Sequence, residues 1–363
     1  MSDSPASAPV RVLVVDDSAV YREFLVHLLC TDPRIQIVGV ARDGSAALAS
    51  LASLRPDVIT MDINMPGMDG YETTRRIMET IPTPIVVVSA VGDAGEVGMS
   101  FRAMESGAVA VVPKPRGGIT EEPDGDGREL IRMVKLMAEV KVVRRWPRPS
   151  GGPAQAPVPP RPPRIACRVD SVLVGASTGG PVPVRTILSA LPPAFPAAVL
   201  VVQHIAAGFA EGLASWLAGA CRLPVRLAVD RERVVPGRVY IAPDGAHMGV
   251  RRDLSIELGY GPMENGLRPS VSYLFRSAAR VYGNRSVGVL LSGMGRDGAA
   301  ELKELRDLGA TTFVQNRETS VVFGMPGEAM RLGGASYALP PESIAQALVQ
   351  LAATKDGGER SRG

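Results

Sequence analysis

Short apolar runs alternate with helical patterns along the first third of this chain. Between the runs, apolar residues recur at helical spacing, as at Val20, Phe24 and Leu28. Further helices are predicted near 45–54 and over 132–143. The apolar runs themselves cover residues 12–15, 35–41, 58–61, 85–88 and 109–112. This alternation predicts an α/β fold with a doubly wound parallel sheet.

Polar side chains follow four of these runs, at the point where each predicted strand ends. Asp16 and Asp17 follow the first run, Asp62 the third and Ser89 the fourth, while Lys114 comes just after the fifth. The carboxyl ends of parallel strands meet at one edge of the sheet, where open α/β sheets bind ligands. We therefore expect these five side chains to share one pocket.

Three carboxylates in one pocket repel one another unless a cation neutralises them. Mg²⁺ suits the hard oxygen ligands that Asp16, Asp17 and Asp62 offer. An aspartate beside such an ion can attack a phosphoryl group, and Ser89 and Lys114 can bind the added oxygens. In the alternative interpretation, residues 16–18 only cap a helix and Lys114 is a solvated loop charge. The occurrence of all five residues at strand ends favours the metal and phosphoryl site.

Residues 10 to about 138 resemble a two-component receiver domain, a flavodoxin-like doubly wound sheet. The matching segments are 16–17 (DD), 61–70 (MDINMPGMDG), 89–90 (SA) and 114–115 (KP). The resemblance implies that Asp62 is the phosphoacceptor and that Ser89 and Lys114 bind and report the phosphoryl group. It further implies that the metal, Mg²⁺, is held by the set Asp16, Asp17, Asp62 and the main chain of Asn64. One departure is Val111, which stands where receivers usually carry the aromatic residue that transmits the signal.

The α/β alternation resumes in the second half of the chain. Strand-like runs cover residues 172–174, 199–202, 239–242 and 287–291, and helical patterns cover 210–220 and 299–308. Ser177, His204 and Asp297 come shortly after three of these strands. The sequence predicts a second α/β domain with a mostly parallel sheet, and its three candidate residues again lie at strand ends.

Ser177 lies in a turn in which Gly175 and Gly179 complete the spacing G-x-S-x-G. Glycines at this spacing allow a sharp strand-to-helix turn that leaves a serine hydroxyl exposed. Pro181 and Pro183 suit the first turn of the helix that follows. The motif alone fits a tight connection or a phosphate cradle as well as a nucleophile.

His204 and Asp297 supply what a nucleophilic serine requires. A serine hydroxyl needs an imidazole to remove its proton, and the imidazole needs an acid to orient it. The other two histidines have simpler interpretations: His27 suits a solvated or packed position in the first helix, and His247, which follows an Asp-Gly turn, can satisfy loop backbone. The order Ser–His–Asp along the chain differs from that of the α/β-hydrolases, so the motif does not indicate that fold.

Residues 169 to about 353 resemble the catalytic domain of the chemotaxis protein-glutamate methylesterases, the CheB family. The matching segments are 175–180 (GASTGG), 203–204 (QH), 240–243 (YIAP), 247–248 (HM), 268–271 (RPSV), 292–298 (SGMGRDG), 315–316 (QN) and 321–326 (VVFGMP). The resemblance implies that Ser177 is the nucleophile, His204 the general base and then acid, and Asp297 the orienting carboxylate. It places Thr178 and Met294 on the lining of the site. Ser272 departs from the family, in which an Asp is common.

The family resemblance also implies the reaction and the partners. The reaction is hydrolysis of glutamate γ-methyl esters on methyl-accepting chemotaxis receptors, with deamidation of receptor glutamines as a second activity. The implied phosphodonor is a chemotaxis histidine kinase, and phosphorylation of Asp62 is expected to release the receiver from the catalytic face. No cofactor is expected in the catalytic domain.

Composition narrows the class of protein without changing this interpretation. The net charge is +3, from 40 basic and 37 acidic residues, which gives no general argument for nucleic acid or membranes. The three cysteines are dispersed, and the sequence shows neither a signal peptide nor a long apolar run. We therefore expect a cytoplasmic monomer without membrane insertion. The predicted organisation lists a disordered N-terminus (1–9), a receiver domain (10–140), a Pro/Arg-rich linker (141–168), a methylesterase domain (169–355) and a disordered tail (356–363).

Two other hypotheses remain from the sequence. The first is a phosphorylation-gated binding module with a relict triad, which the joint presence of Ser177, His204 and Asp297 disfavours. The second is a serine esterase that acts on small esters, and only substrate tests separate it from a receptor enzyme. A transcriptional regulator is excluded, because it predicts a small basic helix-turn-helix module in place of the second α/β domain.

Overall fold

The computed structural model of the 363-residue chain describes residues 8–90, 94–116, 125–140, 142 and 169–353. The chain divides into two compact units, residues 1–152 and 153–363. This division falls inside the predicted linker 141–168, which, apart from residue 142, lies outside the described residues. The predicted tail 356–363 and residues 1–7 of the predicted N-terminal segment 1–9 lie outside them as well.

The first unit alternates strands and helices from its first described element. Its strands are β1 (Val10–Val15), β2 (Ile35–Ala41), β3 (Val58–Asp62), β4 (Ile85–Ser89) and β5 (Ala110–Pro113). Its helices are α1 (Ala19–Cys30), α2 (Gly44–Leu54), α3 (Gly70–Thr80), α4 (Ala94–Ser106) and α5 (Gly125–Ala138). Three helices begin at side-chain caps, which Ser18, Asp43 and Asp69 provide.

The five strands form one parallel sheet in the order β2-β1-β3-β4-β5. Every residue of β3 and β4 is buried, as expected for central strands that helices cover on both faces. The chain moves towards one edge from β1 to β2 and towards the other from β3 onward, so the strand order reverses between β1 and β3. This switch point is where doubly wound sheets bind ligands. The predicted flavodoxin-like sheet is confirmed.

The first and last helices of the first unit differ in detail from the sequence pattern. Of the residues whose spacing indicated α1, Val20 is 77% exposed, and the helix packs through Leu25, Leu28 and Leu29. The last helix covers Gly125–Ala138 rather than 132–143. Its buried positions, among them Leu130, begin before the stretch whose periodicity suggested the helix.

The second unit contains more elements than the sequence pattern indicated. Its strands are β6 (Ser171–Ala176), β7 (Ala198–Gln203), β8 (Val225–Leu227), β9 (Val239–Ile241), β10 (His247–Val250), β11 (Ile256–Gly259), β12 (Ser286–Leu290), β13 (Thr311–Gln315) and β14 (Tyr337–Leu339). Its helices are α6 (Pro181–Ala190), α7 (Ala210–Ala218), α8 (Val271–Tyr282), α9 (Ala299–Asp307), α10 (Met325–Arg331) and α11 (Pro341–Ala353). The short 3₁₀ turn Gly283–Arg285 joins α8 to β12.

Seven of these strands form a parallel sheet in the order β14-β13-β12-β6-β7-β9-β8. β10 and β11 form a separate antiparallel hairpin. The strand order reverses between β6 and β12, which places the ligand-binding edge of this sheet at the ends of those two strands. The predicted second α/β domain with a mostly parallel sheet is confirmed.

One apolar cluster joins the sheet, the hairpin and the helices that cover them. Val271 and Phe275 of α8 pack in it with Leu290 of β12, Leu302 of α9 and Met325 of α10, and each of these side chains is fully buried. The first turn of α8 is therefore held rigidly beside the end of β12.

In the described part of the chain no helix has the length and apolar character needed to cross a bilayer. Cys30 and Cys221 are free thiols.

Candidate active site and receiver site

Asp16, Asp62 and Lys114 meet at the switch point of the first sheet. The Lys114 Nζ lies 3.3 Å from Asp16 Oδ2 and 3.0 Å from Asp62 Oδ2. Both carboxylates are buried, at 1% and 3% exposure. Burial and the charge of Asp62 raise the pKa of Asp16, and burial also raises the pKa of Asp62. A single ammonium therefore does not compensate these carboxylates fully.

The carboxylates fit a divalent cation. Oxygens of Asp16, Asp17 and Asp62 lie within 4.8 Å of one another, and hard oxygen donors are what Mg²⁺ requires. Asp17 is exposed, so the site opens to solvent on that side. Asn64 lies next to the cluster, with its N–H 3.4 Å from Asp62 Oδ1.

Ser89 ends the neighbouring strand β4. Its hydroxyl is buried and has no hydrogen-bond partner among the described residues, and an unsatisfied buried hydroxyl calls for a ligand or water. Ser18 caps α1 by accepting a hydrogen bond from the N–H of Tyr21 at 3.3 Å. The helix-cap interpretation of residues 16–18 is thus right for Ser18, and Asp16 supports that cap by accepting the Ser18 N–H on Oδ1 at 2.9 Å.

Ser177 follows β6 at the switch point of the second sheet. Its N–H donates to the Ser292 carbonyl at 3.0 Å, which ties the loop after β6 to the loop after β12. A Cβ on Gly293 would lie 2.7 Å from the Cβ of Ser177, so only glycine fits beside the serine. Pro181 and Pro183 stand in the first turn of α6, as predicted.

His204 begins the loop after β7, directly beside the serine loop. β6 and β7 pair in parallel with Ala176 opposite Gln203, and the His204 N–H donates to the Ala176 carbonyl at 2.8 Å. The Gln203 side chain donates to the carbonyls of Ser177 at 2.7 Å and His204 at 2.9 Å. Within the described residues 169–353, the Ser177 hydroxyl does not form a hydrogen bond with His204. Catalytic hydrogen bonds of this kind are often long without substrate and tighten only when substrate binds.

The imidazole of His204 points its Nε2 at Asp297. Nε2 lies 2.9 Å from Asp297 Oδ2, and the His204 side chain is 7% exposed. Nε2 therefore carries the proton of a neutral imidazole in this pair, because a carboxylate only accepts hydrogen bonds. Nδ1 remains as the basic nitrogen. The structure thus brings together the three residues predicted from strand ends, with Ser177 and His204 on adjacent loops.

Asp297 is buried in a cage of donors. Besides His204, the donors are the Val271 N–H (2.6 Å), the Ser272 N–H (3.2 Å), the Ser270 hydroxyl (2.8 Å) and the Asn265 amide (3.1 Å). Burial alone raises the pKa of Asp297. The hydrogen bonds from His204, Ser272 and Ser270 outweigh that effect and hold the pKa below its usual range, so Asp297 is ionised at neutral pH.

The N-terminus of α8 supplies three of these donors. Ser270 caps the helix, and the N–H groups of Val271 and Ser272 belong to its first turn, where backbone N–H groups lack partners within the helix. The partial positive charge at this helix end also favours the carboxylate. Sequence reasoning missed this role of α8. Ser270, followed by apolar positions at helical spacing, was the signal that could have found it.

Thr178 and Met294 lie on the loops around the serine. The Thr178 carbonyl accepts a hydrogen bond from the Ser292 hydroxyl at 2.8 Å. Met294 is 42% exposed and follows Gly293, which contacts Ser177. Ser272, noted as a departure in the sequence, accepts the Gly298 N–H at 2.9 Å and donates to Glu301 at 2.7 Å. It therefore braces the segment that carries Asp297.

His247 does not take part in this constellation. It is buried at the start of β10, its ring stacks on Tyr273, and its Nε2 donates to the Pro262 carbonyl at 2.9 Å. This confirms the prediction that His247 satisfies loop backbone.

The first unit is a receiver-type sheet with a carboxylate cluster, and the second is a parallel α/β unit that holds a serine, a histidine and an aspartate. Together the two units define a response regulator with an enzymatic effector domain. The chain belongs to the CheB family of protein-glutamate methylesterases/protein-glutamine glutaminases. It is 53% identical over 348 residues to protein-glutamate methylesterase/protein-glutamine glutaminase 1 of Syntrophus aciditrophicus, covering 94% of this chain and 98% of that protein. A relative of the same name, numbered 4, from Geobacter metallireducens is 52% identical over 347 residues and covers 95% and 100%.

Family models divide the chain in the same way. The CheB methylesterase model matches residues 172–348, and the response regulator receiver domain model matches residues 12–119. Among solved structures, the catalytic domain of Thermotoga maritima CheB methylesterase is 37% identical and covers 51% of this chain and 100% of its own, with a TM-score of 0.49. The receiver domain of the same organism's CheB is also 37% identical and covers 37% and 98%, with a TM-score of 0.33.

Proposed function

We propose that this protein hydrolyses glutamate γ-methyl esters on chemoreceptors and deamidates receptor glutamines, with Ser177, His204 and Asp297 as its catalytic triad. The observation that carries the proposal is the buried, five-donor environment of Asp297 with His204 Nε2 at 2.9 Å. A carboxylate fixed in this way holds one tautomer of the imidazole and stabilises its cation. The names of the relatives give glutamate methyl esters and glutamines of proteins as substrates, and the CheB resemblance gives the chemoreceptors.

His204 Nδ1 is the general base of the proposed mechanism. It takes the proton of the Ser177 hydroxyl as the serine oxygen attacks the ester carbonyl. The imidazolium, stabilised by Asp297, then protonates the departing methoxide, and methanol leaves. Water, deprotonated by His204, hydrolyses the acyl-enzyme and restores Ser177. A glutamine side chain follows the same steps with ammonia as the leaving group.

We further propose that Asp62 is phosphorylated and that this raises the hydrolytic activity. Asp16, Asp17, Asp62 and the main-chain carbonyl of Asn64 would hold Mg²⁺, which supplies positive charge that favours phosphoryl transfer. Asp62 would attack the phosphorus, and a histidine kinase or acetyl phosphate would donate the group. Phosphorylation adds about −1.5 to −2 charge beside Lys114.

The buried Ser89 hydroxyl, which has no partner among the described residues, is assigned to a phosphoryl oxygen. Lys114 contacts both Asp16 and Asp62. After phosphorylation its ammonium would leave one of these carboxylates and bind the new phosphoryl group. The limits that we assign to the two domains are 10–140 and 169–355, with the linker between them.

A substrate comparison tests the proposed function against the small-ester alternative. The purified full chain is given methylated receptor membranes or p-nitrophenyl acetate, and Ser177→Ala serves as the control in both assays. We expect Ser177-dependent methanol release with a kcat/KM for receptor methyl ester well above that for the small ester. Efficient turnover of the small ester without methanol release from receptors would support a general esterase instead.

A further inference from the structure

A loop of eight residues, 260–267, leads from β11 towards α8 and is called the strap below. Its first half is fixed by two side chains from outside it. Arg268 donates to the Gly261 carbonyl at 2.8 Å, and the buried His247 donates to the Pro262 carbonyl at 2.9 Å. The course of the strap is therefore set by the loop before α8 and by the hairpin.

The second half of the strap is fixed by a turn and an ion pair. The backbones of Glu264 and Leu267 bond reciprocally at 3.1 and 2.9 Å, and the Glu264 carboxylate lies 2.5 Å from Arg276 of α8. Between them, Asn265 and Gly266 adopt left-handed conformations, with φ of 53° and 77°. A non-glycine residue keeps such a conformation only where its surroundings fix it.

This turn brings the Asn265 amide to Asp297. Its Nδ2 lies 3.1 Å from Asp297 Oδ1, the oxygen that also accepts the Ser270 hydroxyl at 2.8 Å. The other oxygen, Oδ2, faces His204. Donors on Oδ1, together with the Val271 N–H on Oδ2 at 2.6 Å, set the rotation of the carboxylate about its last torsion angle, and that rotation decides where Oδ2 points.

We propose that Asn265 is a positioning residue, which orients the Asp297 carboxylate and through it the imidazole of His204. The inference deepens the proposed function and rests on it for its catalytic readout. Asn265 is the donor in the cage that comes from neither α8 nor His204, so the strap is a separate support for the acid of the triad. Asn265 does not touch the reacting atoms in this arrangement, and its loss is expected to change kcat rather than KM.

A purely structural role gives a different expectation. Asparagine tolerates left-handed backbone better than most residues, and a turn could need it for that reason alone. Asn265→Gly separates the two roles, because glycine adopts the same backbone conformation without strain and lacks the amide. Asn265→Asp keeps the size and replaces the donor by a carboxylate that repels Asp297.

The test compares wild type, Asn265→Gly and Asn265→Asp in the full chain, with Met263→Ala as a control on the same strap. Methanol release from methylated receptor membranes gives kcat and KM. We expect kcat to fall roughly 10-fold in the Gly variant and further in the Asp variant, with KM within about twofold of wild type. Thermal unfolding identifies any variant that has lost its fold.

A second measurement reads the geometry without substrate. The chain has three histidines, so ¹⁵N-histidine labelling with a His204→Gln reference assigns the Nε2 proton that bonds Asp297. We expect a strongly downfield resonance in wild type and Met263→Ala, and a shifted or broadened one in Asn265→Gly. A Gly variant with wild-type kcat and an unchanged resonance would overturn the inference. If wild type itself releases no methanol, the proposed function fails, and the resonance alone decides the role of Asn265.

Discussion

Nε2 of His204, rather than Nδ1, faces the Oδ2 of Asp297, at 2.9 Å. Nδ1 is the nitrogen nearer the main chain, and the His204 main chain is itself bonded to Ala176, the residue before Ser177. The imidazole thus spans from the serine loop to the acid, with its inner nitrogen left for the serine. Because Nε2 and not Nδ1 bonds Asp297, amide side chains of different length are expected to replace the ring with different success.

His204→Gln and His204→Asn are expected to differ in stability although both are inactive. A glutamine amide reaches the level of Nε2 and can still donate to Asp297, whereas an asparagine amide stops at the level of Nδ1. We predict that Asn lowers the free energy of unfolding by about 1–3 kcal/mol relative to Gln, because the buried carboxylate loses a donor. Urea unfolding measures this difference. The reverse order would show that Nε2 does not support Asp297.

Asp297→Asn is expected to abolish most catalysis while leaving the protein folded. The neutral amide no longer fixes the tautomer or stabilises the cation of His204, which costs roughly 10⁴-fold in kcat in a triad of this kind. Steady-state methanol release measures the loss, with circular dichroism as the control for folding. A variant that keeps a tenth or more of the wild-type kcat would remove Asp297 from the proposed triad.

The low pKa of Asp297 also makes stability depend on pH. Its pKa in the folded protein lies below the ordinary value of 3.8, so the folded state binds this proton less tightly than the unfolded chain does. The stabilisation is complete above the unfolded pKa and is lost as the pH falls from there towards the folded value.

The difference in unfolding free energy between wild type and Asp297→Asn is therefore expected to be largest near pH 7 and to narrow below about pH 4. Urea unfolding at a series of pH values between about 3 and 7 measures this difference. If the difference stayed constant over that range, the ionised carboxylate would not contribute the stability assigned to it.

Gly298 follows Asp297 and combines a left-handed backbone with close packing. Its φ is 79°, and a Cβ there would lie 2.3 Å from Cγ1 of Val271, the residue whose N–H holds Asp297. We predict that Gly298→Ala lowers the free energy of unfolding by more than the ~1–3 kcal/mol that strained backbone costs alone.

Gly295→Ala is the matched control, because Gly295 has a similar φ of 85° and no atom within 4 Å of a built Cβ. Equal losses in the two alanine variants would show that packing against Val271 adds nothing to the cost.

Asp17 is the exposed member of the carboxylate cluster and, unlike Asp16 and Asp62, forms no ion pair with Lys114 among the described residues. Asp17→Asn is therefore expected to weaken Mg²⁺ binding by roughly tenfold or more with little change in thermal stability. Labelling of Asp62 by acetyl phosphate should fall with it and should vanish in EDTA. Glu23→Gln, an exposed acid on α1, controls for the change of charge. Labelling that persists in EDTA would contradict the assigned metal site.

The sequence predicted the strands that carry the candidate residues because each ends in a polar side chain after a buried apolar run. It did not predict β8, β13, β14 or the hairpin β10–β11. Three of these strands have only three or four residues and partly exposed side chains, so none of them carries a long buried apolar run. Val20 shares the helical spacing of Phe24 and Leu28 but is exposed, because spacing alone does not show where the helix meets the sheet.

The donors around Asp297 were beyond sequence reasoning for a different reason. Asn265 and Ser270 lie 32 and 27 residues before Asp297, and only the packing of α8 against α9 and the course of the strap bring them to it. The pair Asn265-Gly266 signals a left-handed turn, and Ser270 signals a helix cap. Neither signal names a carboxylate as its partner.

Ser177 is proposed to hydrolyse receptor methyl esters, and phosphorylation of Asp62 is proposed to raise the rate. The most direct test measures methanol release from methylated chemoreceptor membranes by wild type, Ser177→Ala and Asp62→Ala, each with and without acetyl phosphate and Mg²⁺. We predict release by wild type that increases with acetyl phosphate, unstimulated release by Asp62→Ala, and none by Ser177→Ala. Stimulation that survives in Asp62→Ala would contradict the gating, and folded wild-type protein that releases no methanol would indicate a binding module.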